Sequence, residues 1–490
     1  MLKAMPLILT TEKHYRWKNN DVMEQQLLRD KTQTPVILEE TLKESLAFLA
    51  NLADRPAGIR TSPSIEDNLA EEGVGSLAAL TSFQEQFSAG LSGSPGPRYL
   101  GFVTGGSTPA GIAGDWLTSV IDQNVASAGD SSANQVEYQA VNWLKALFGI
   151  DQAYAGTFVS GATMSSFTGL AIGRQWVGQQ LGVDIGHEGL ASVGAISVLS
   201  GCAHSSVFKA LSMLGMGRAC VQRLPLQEGR EAVDIGALRE ALEAQNGRPC
   251  IVVANSGTVN SVDFDDLVAI GQLKAEFPFW LHVDAAFGGF AACSPEYAHF
   301  MDGINAADSI TIDLHKMLNV PYDSAIQLTR HPDLQQAVFQ NSGARYLEVN
   351  AAEVPFVHLT PENSRRFRAL PTWFSLKAYG RAGFRDLVER NVLLAKQLGE
   401  WIDRSPQFEL LSPVHFNVVC FTLNAPKEEL ASLITRFLAA LTHDGRVFLT
   451  PSDWKGTPCI RAAFSNWQTE ESDLFIIQQA LQEVLSVYQD

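Results

Sequence analysis

The stretch "TIDLHKMLNVPYDS", residues 311–324, sets His315 and Lys316 inside a mostly apolar run. A buried lysine loses hydration that few protein groups replace. It belongs there only if its amine is used, or if its long stem returns the charge to the surface. Three further places put reactive residue types just after short apolar runs. In "FVSGATMSSF", Gly161, Ala162, Thr163, Ser165 and Ser166 separate a strand-like run from a helix-like one. Small residues there leave backbone N–H groups and the positive end of the helix dipole open to an anion, and phosphate is the natural one. In "WLHVDAAFGG", Asp284 closes an apolar run and is followed by Ala285 and Ala286. A carboxylate so placed is costly unless a cation meets it. In "SGCAHSSVFKA", His204 stands at the same kind of junction. Each place also has a plain reading as a cap, a turn or a satisfied polar group. His282 with Asp284, and Asp313 with His315, are i, i+2 pairs that share a strand face. Four such N/O ligands define a metal-dependent hydrolase as the alternative, although neither pair has a helical HExxH companion.

These residues need a scaffold, and the pattern around them predicts one. Between about 101 and 330, short apolar runs alternate with amphipathic stretches: "GTFVS", "AISVLSG", "CIVVANSG" and "FWLHVDAAFGG" each lead into helical spacing. Strand and helix in repetition predict a mostly parallel sheet covered by helices, an α/β fold. In such sheets ligands bind beyond the carboxyl ends of the strands, where the residues above fall. The first hundred residues predict helices at "VMEQQLLRDK" and "LEETLKESLAFLANLADRP". A long amphipathic stretch, "WFSLKAYGRAGFRDLVERNVLLAKQLGEWIDRS", then mixed strands and helices, predict a smaller α+β domain at the end. The expected organisation is an N-terminal helical segment (1–100), a large α/β domain (101–372) and a small α+β domain (373–490).

Composition narrows the functional classes. The 490 residues are 46% hydrophobic and 18% charged, ordinary values for a soluble globular protein. A formal net charge of −17 argues against nucleic acid or an anionic membrane surface as partner. Six scattered cysteines without a CxxC read as reduced thiols. The N-terminal "MLKAMPLILTTEKHYR" falls short of a secretory signal, and no run is long enough to span a bilayer, so the cytoplasm is the expected compartment.

One cofactor accounts for all four places together. Pyridoxal 5′-phosphate needs a lysine for its Schiff base, a carboxylate for its pyridine nitrogen and a cradle for its phosphate. A flat group over the ring completes the cage, and His204 supplies it.

At these residues the chain resembles the group II pyridoxal-phosphate decarboxylases, the family of glutamate, histidine and aromatic-L-amino-acid decarboxylases. "GTFVSGATMSSFTGLAIGRQ" is similar to the family's phosphate loop, "CAHSSVFKA" to its ring-stacking segment and "NSGTVNSVDFDDL" to its GTT-type turn. "FWLHVDAAFGG" resembles the pyridine-binding strand and "ADSITIDLHKML" the Schiff-base segment. The resemblance implies fold type I and a homodimer whose sites take residues from both subunits. It implies Lys316 and His204 as catalytic residues. Gly161, Ala162, Thr163, His204, Asp284, Ala286, His315 and Lys316 become cofactor-binding residues. Phe102 and Thr104, in "GFVTGG", and Arg461, in "CIRAAFSNW", become substrate residues. Space and little charge around Phe102 lean toward an aromatic or otherwise uncharged amino acid, decarboxylated to its amine. Asp313 departs from the family's frequent asparagine. Anchoring on "RRFRAL" puts Phe356 where relatives carry a proton-donating loop tyrosine. Tyr346 and His358 are the alternative donors, and a missing donor would favour oxidation to an aldehyde.

Overall fold

The computed structural model describes residues 25–59, 68–126, 131–341 and 354–487. These fall into two compact units, the first drawn from 1–54 and 60–91, the second from 55–59 and 92–490.

The first unit pairs helix α1 (Gln25–Ala50) with α2 (Ser76–Phe87). Two helical stretches were expected in the first of these segments; one continuous helix runs through Pro35 instead. Proline gives up the bond to the carbonyl four residues back, that of Lys31. The Thr34 hydroxyl donates to that carbonyl at 3.3 Å, so the break is repaired locally. Asp30 on α1 accepts from the Ser76 amide at 3.1 Å, placing a carboxylate at the positive end of α2.

The second unit holds two sheets. The strands are β1 (Ala155–Val159), β2 (Val198–Ser200), β3 (Val221–Arg223), β4 (Cys250–Asn255), β5 (Phe279–Asp284), β6 (Ser309–Asp313) and β7 (Ala325–Thr329). They form one sheet in the order β1-β7-β6-β5-β4-β2-β3. All neighbours run parallel except β7, which is antiparallel to both β1 and β6. The mostly parallel α/β sheet read from the sequence is thus present. Its strands are apolar on both faces, as a doubly covered sheet requires. On β4, Ile251 and Val253 enter one core, while Cys250, Val252 and Ala254 enter the other. On β5, Trp280 joins the first core, and Phe279, Leu281 and Val283 the second. Helices α3 (Pro109–Ile121) and α4 (Ala133–Phe148) precede the sheet, and α5 (Ala162–Gln180) crosses the Trp280 face. It approaches closely because a Cβ on Gly173 would lie 2.7 Å from the Trp280 ring, and one on Gly169 2.8 Å from His282.

A smaller antiparallel sheet follows, built from β8 (Phe408–Leu410), β9 (Val418–Leu423), β10 (Thr450–Trp454) and β11 (Thr457–Ala463) in the order β10-β11-β9-β8. Helices Lys427–Asp444 and Glu471–Val487 share its core. The helix Ala369–Arg404 leads into it and contains the 372/373 boundary expected from the sequence. That helix kinks at Gly380, whose φ of 56° and ψ of −166° suit glycine alone.

Candidate active site

The carboxyl ends of β1, β4, β5 and β6 open onto a cavity of about 540 Å³. Ser160 and Gly161 follow β1, and α5 begins at Ala162, so its first-turn amides, which have no partners within the helix, face this space. Thr163 and Met164 also line it. Ser165 and Ser166 do not: they are buried on the sheet side of α5, with Ser165 Oγ 2.9 Å from Thr311 Oγ1. One helical turn sorts the small residues of "SGATMSS" into ligand-facing and core-facing sets.

His204 ends the loop after β2 and caps the helix Ser205–Met213. Its Nδ1 accepts from the Ser206 amide at 3.2 Å and lies 2.7 Å from Ser206 Oγ. The ring opens into the cavity. Enclosure by the walls pushes its pKa below the ordinary value. Lys316 and Arg461 push the same way, and Asp284 and Asp313 oppose them. The imidazole is therefore neutral and flat at neutral pH.

Asp284 closes β5, lines the cavity and is almost fully enclosed. Its Oδ1 accepts from the Ala286 amide at 3.2 Å, and its carbonyl accepts from the Ser256 amide at 2.8 Å. Two residues back on the same face, His282 is fully buried with its Nδ1 2.8 Å from Ser309 Oγ. Burial pushes the His282 pKa down to about 4, against the opposing effect of Asp284. Among the described residues no group of three or more His, Cys, Asp or Glu side chains is arranged to hold a metal ion.

The turn after β6 supplies the remaining groups. Lys316 Nζ lies 3.3 Å from Asp313 Oδ2 and 5.2 Å from the centre of the Phe287 ring. His315 Nε2 lies 3.2 Å from Asp313 Oδ1, and its Nδ1 accepts from the Ser324 amide at 3.2 Å. Since Nδ1 accepts, the proton of a neutral His315 sits on Nε2. Burial works against ionisation of Asp313, but Lys316 and His315 outweigh it and hold its pKa below the ordinary value. The aspartate that stood out as a departure is the counter-ion of the two basic residues beside it. His315 also faces the start of α5, its Cε1 3.4 Å from where a Gly161 Cβ would lie.

Arg461, on β11, lines the cavity from the small sheet. It is buried, and its Nε and Nη2 have no hydrogen-bond partner among the described residues. Burial lowers its pKa. A guanidinium enclosed in this way is poised for an anion that enters from outside. Phe102 also lines the cavity, with a left-handed φ of 59°, and its amide donates at 3.4 Å to Oγ1 of Thr450, the strand neighbour of Arg461. Thr104 stands behind the wall, accepting a hydrogen bond from the Tyr322 hydroxyl at 3.3 Å. Sequence reasoning passed over Tyr322, which lines the cavity, although it lies within the same short stretch as Lys316.

The loop donors fare differently. Phe356 is fully buried, 4.9 Å from the Tyr138 ring and under the Arg365 guanidinium at 4.7 Å; it is a core residue and does not line the cavity. His358 accepts from the Asn341 amide at 3.1 Å, also away from the cavity. Tyr346 lies outside the described residues.

A lysine, an enclosed carboxylate, a flat neutral imidazole and a helix start gathered around one cavity fit pyridoxal 5′-phosphate, and the fold is that of the fold type I enzymes which use it. The chain matches the pyridoxal-dependent decarboxylase conserved domain over residues 64–424. It is 30% identical over 408 residues to the aromatic-L-amino-acid decarboxylase of Bacillus atrophaeus, covering 80% of this chain and 82% of that one. Against the histidine decarboxylase of Drosophila melanogaster, identity is 31% over 382 residues, 74% of this chain and 44% of that one. The crystal structure of Oryza sativa TDC with PLP and tryptamine superposes with a TM-score of 0.87 at 21% identity, covering 94% of this chain and 99% of that one. The chain belongs to the pyridoxal-dependent decarboxylase family. Its cofactor is pyridoxal 5′-phosphate, and its reaction is amino-acid decarboxylation.

Proposed function

We propose that this chain decarboxylates an L-amino acid with an aromatic or otherwise uncharged side chain, releasing the amine and CO₂, and that it works as a homodimer in the cytoplasm. The observation that supports the substrate class most is Arg461. It is a buried cation without a partner carboxylate among the described residues, and the cavity wall it shares includes Phe102, Val103, Met164 and Met213. One cation serves the α-carboxylate common to all amino acids and leaves the side chain among apolar groups. The remaining lysine in the lining, Lys209, is exposed, where solvent screens its charge. The aromatic substrate in the name of the Bacillus atrophaeus relative points the same way.

When bound, pyridoxal 5′-phosphate draws off the electron pair left at the α-carbon as CO₂ departs. The residues of this chain divide the supporting work. Lys316 would supply the amine to which the cofactor is joined. Asp284 would hold a proton at the cofactor's ring nitrogen, and the Ala286 amide fixes its carboxylate. His204, which lines the cavity, would cover the ring as a neutral imidazole. The amides of Gly161, Ala162 and Thr163, with His315, would hold the phosphate at the start of α5. Arg461 would receive the substrate carboxylate; Thr104, behind the cavity wall, does not reach it.

The test is a turnover screen of the common amino acids with CO₂ and amine both measured, alongside visible absorption. The protein loaded with cofactor should be yellow, Lys316→Ala should lose that absorption, and aromatic amino acids should turn over best. Preferred turnover of glutamate or aspartate overturns the substrate class.

A further inference from the structure

Arg461 shares its face of the small sheet with two cysteines. Cys420 on β9 is its direct cross-strand partner, and Cys459 stands two residues before it on β11. Residues opposite one another, or two apart along a strand, point to the same side of a sheet. Val419, Phe421, Ile460 and Ala462 point to the other side and enter the core of the small sheet. Cys420 and Cys459 are free thiols, fully buried, with their sulfurs 3.6 Å apart. Trp454 packs with them in one small buried cluster. The Cys420 thiol donates to the Cys459 sulfur, and this bond, with burial, pushes its pKa up against the pull of Arg461. The accepting sulfur of Cys459 is then the nucleophile of the pair, beside a guanidinium of the kind that favours a thiolate.

We propose that Cys420 and Cys459 form a peroxide-sensitive pair, whose joining as a disulfide shifts Arg461 and weakens the hold on the substrate carboxylate. The proposal rests on the reading of Arg461 as the contact for that carboxylate. Both sulfurs are fully buried, so the oxidant must be very small, and hydrogen peroxide is barely larger than water. The Cys459 sulfur attacks the O–O bond of peroxide; one oxygen stays on sulfur as a sulfenic acid, and the other leaves as water. The Cys420 sulfur then displaces the remaining oxygen, which leaves as a second water while the S–S bond forms. Two thiols give up two electrons and two protons, and peroxide takes them. A disulfide holds its sulfurs about 2.05 Å apart, so the pair must close by roughly 1.5 Å. Arg461 lies opposite one cysteine and two residues from the other, so its guanidinium is carried with the strands that bear them. In the cytoplasm proposed for this chain, thiols rest reduced and the disulfides that do form are transient and redox-sensing. None of the residues assigned to the cofactor lies on β9 or β11, so the cofactor stays in place.

The experiment treats the protein loaded with pyridoxal 5′-phosphate with hydrogen peroxide, then with dithiothreitol, and follows the thiols by peptide mass and the reaction by amine release. Reduced wild type is assayed first on aromatic amino acids, then on whichever amino acid it turns over best, so failure of the substrate class shows before any oxidant is added. Peroxide should join the peptides of Cys420 and Cys459 with the loss of two hydrogens. KM for the amino acid should then rise about 10-fold, as expected for a binding group moved by about an ångström. The visible absorption of the bound cofactor should stay, and dithiothreitol should restore both the thiols and KM. Cys459→Ala and Cys420→Ala each remove the pair, and whichever folds should keep its KM under peroxide. Cys202→Ala, which removes the thiol that lines the cavity, should still show the wild-type rise. The proposal is overturned if peroxide joins no Cys420–Cys459 peptides, or if the joined protein keeps its KM within twofold. It is also overturned if the rise persists in Cys459→Ala or Cys420→Ala, or vanishes in Cys202→Ala.

Discussion

A guanidinium taken out of water without a partner is costly, and Arg461 is held that way, with two of its nitrogens unmatched among the described residues. Such a residue serves binding at the expense of folding. Replacing it with methionine, of similar length and without charge, removes the desolvation penalty and the anion site together. Arg461→Met should leave the thermal midpoint unchanged or raised by a few degrees while KM for the amino acid rises at least 10-fold. A large fall in the midpoint with KM unchanged would make Arg461 a structural residue. His282 shows the opposite arrangement, a buried imidazole that stays neutral. With a folded pKa of about 4 and an unfolded value near the ordinary ~6.5, the unfolded chain takes up a proton first as the pH falls. Stability is therefore complete above about pH 6.5 and is lost progressively down to about pH 4. Between pH 7 and pH 5 the loss from this one residue is about 2 kcal/mol. His282→Gln should flatten the pH dependence of urea denaturation by that amount. An unchanged slope would mean that the ring is charged in the folded protein.

At the scale of elements, the site depends on how closely the 101–106 loop approaches the turn that carries Lys316. A Cβ on Gly105 would lie 1.8 Å from the Lys316 carbonyl oxygen and 2.7 Å from Asn319 Nδ2, so a single methyl group cannot enter without moving the backbone beside the reactive lysine. Gly105→Ala should cost about 3 kcal/mol or more and weaken cofactor loading, read as a lower thermal midpoint and a bleached visible band. Full loading at wild-type stability would show that the loop yields freely. Close approaches of this kind leave no mark in the sequence beyond a glycine among other glycines. The strand ends were legible, because Asp284 and Lys316 break apolar runs. So was the start of α5, because small residues mark it. Pairings between distant residues were not. Arg365 and Glu137, 228 residues apart, form a buried ion pair at 2.8 Å, and the same guanidinium donates to the Val125 and Phe158 carbonyls. That contact makes "RRFRAL" an anchor of the core and carries Phe356 inward with it, where a register drawn from the sequence had put a site residue. Likewise the antiparallel β7 follows from pairing on both its edges, which periodicity does not encode.

For the molecule as a whole, charge and apolar surface pull in opposite directions. A net charge of −17 sets copies of the chain against one another. Yet α3 exposes Trp116, Leu117, Val120 and Ile121 on neighbouring turns, and α1 exposes Val36, Leu38, Leu42, Leu46 and Leu49 with no buried residue of its own. Clustered apolar side chains on a soluble chain mark surfaces that meet a partner. The proposed homodimer is then held by apolar burial against electrostatic repulsion, and salt should act on it with a definite sign. Screening weakens the repulsion and leaves the apolar term, so the dimer should tighten between low and physiological ionic strength. Sedimentation should give twice the chain mass of 53.3 kDa. Placing a charge in the α3 patch with Val120→Asp should shift the balance toward single chains, most clearly at low salt, while the chain keeps its helical content. A wild-type protein that sediments as one chain at every salt concentration, and turns over fully, would show that these exposed faces do not serve to pair two copies.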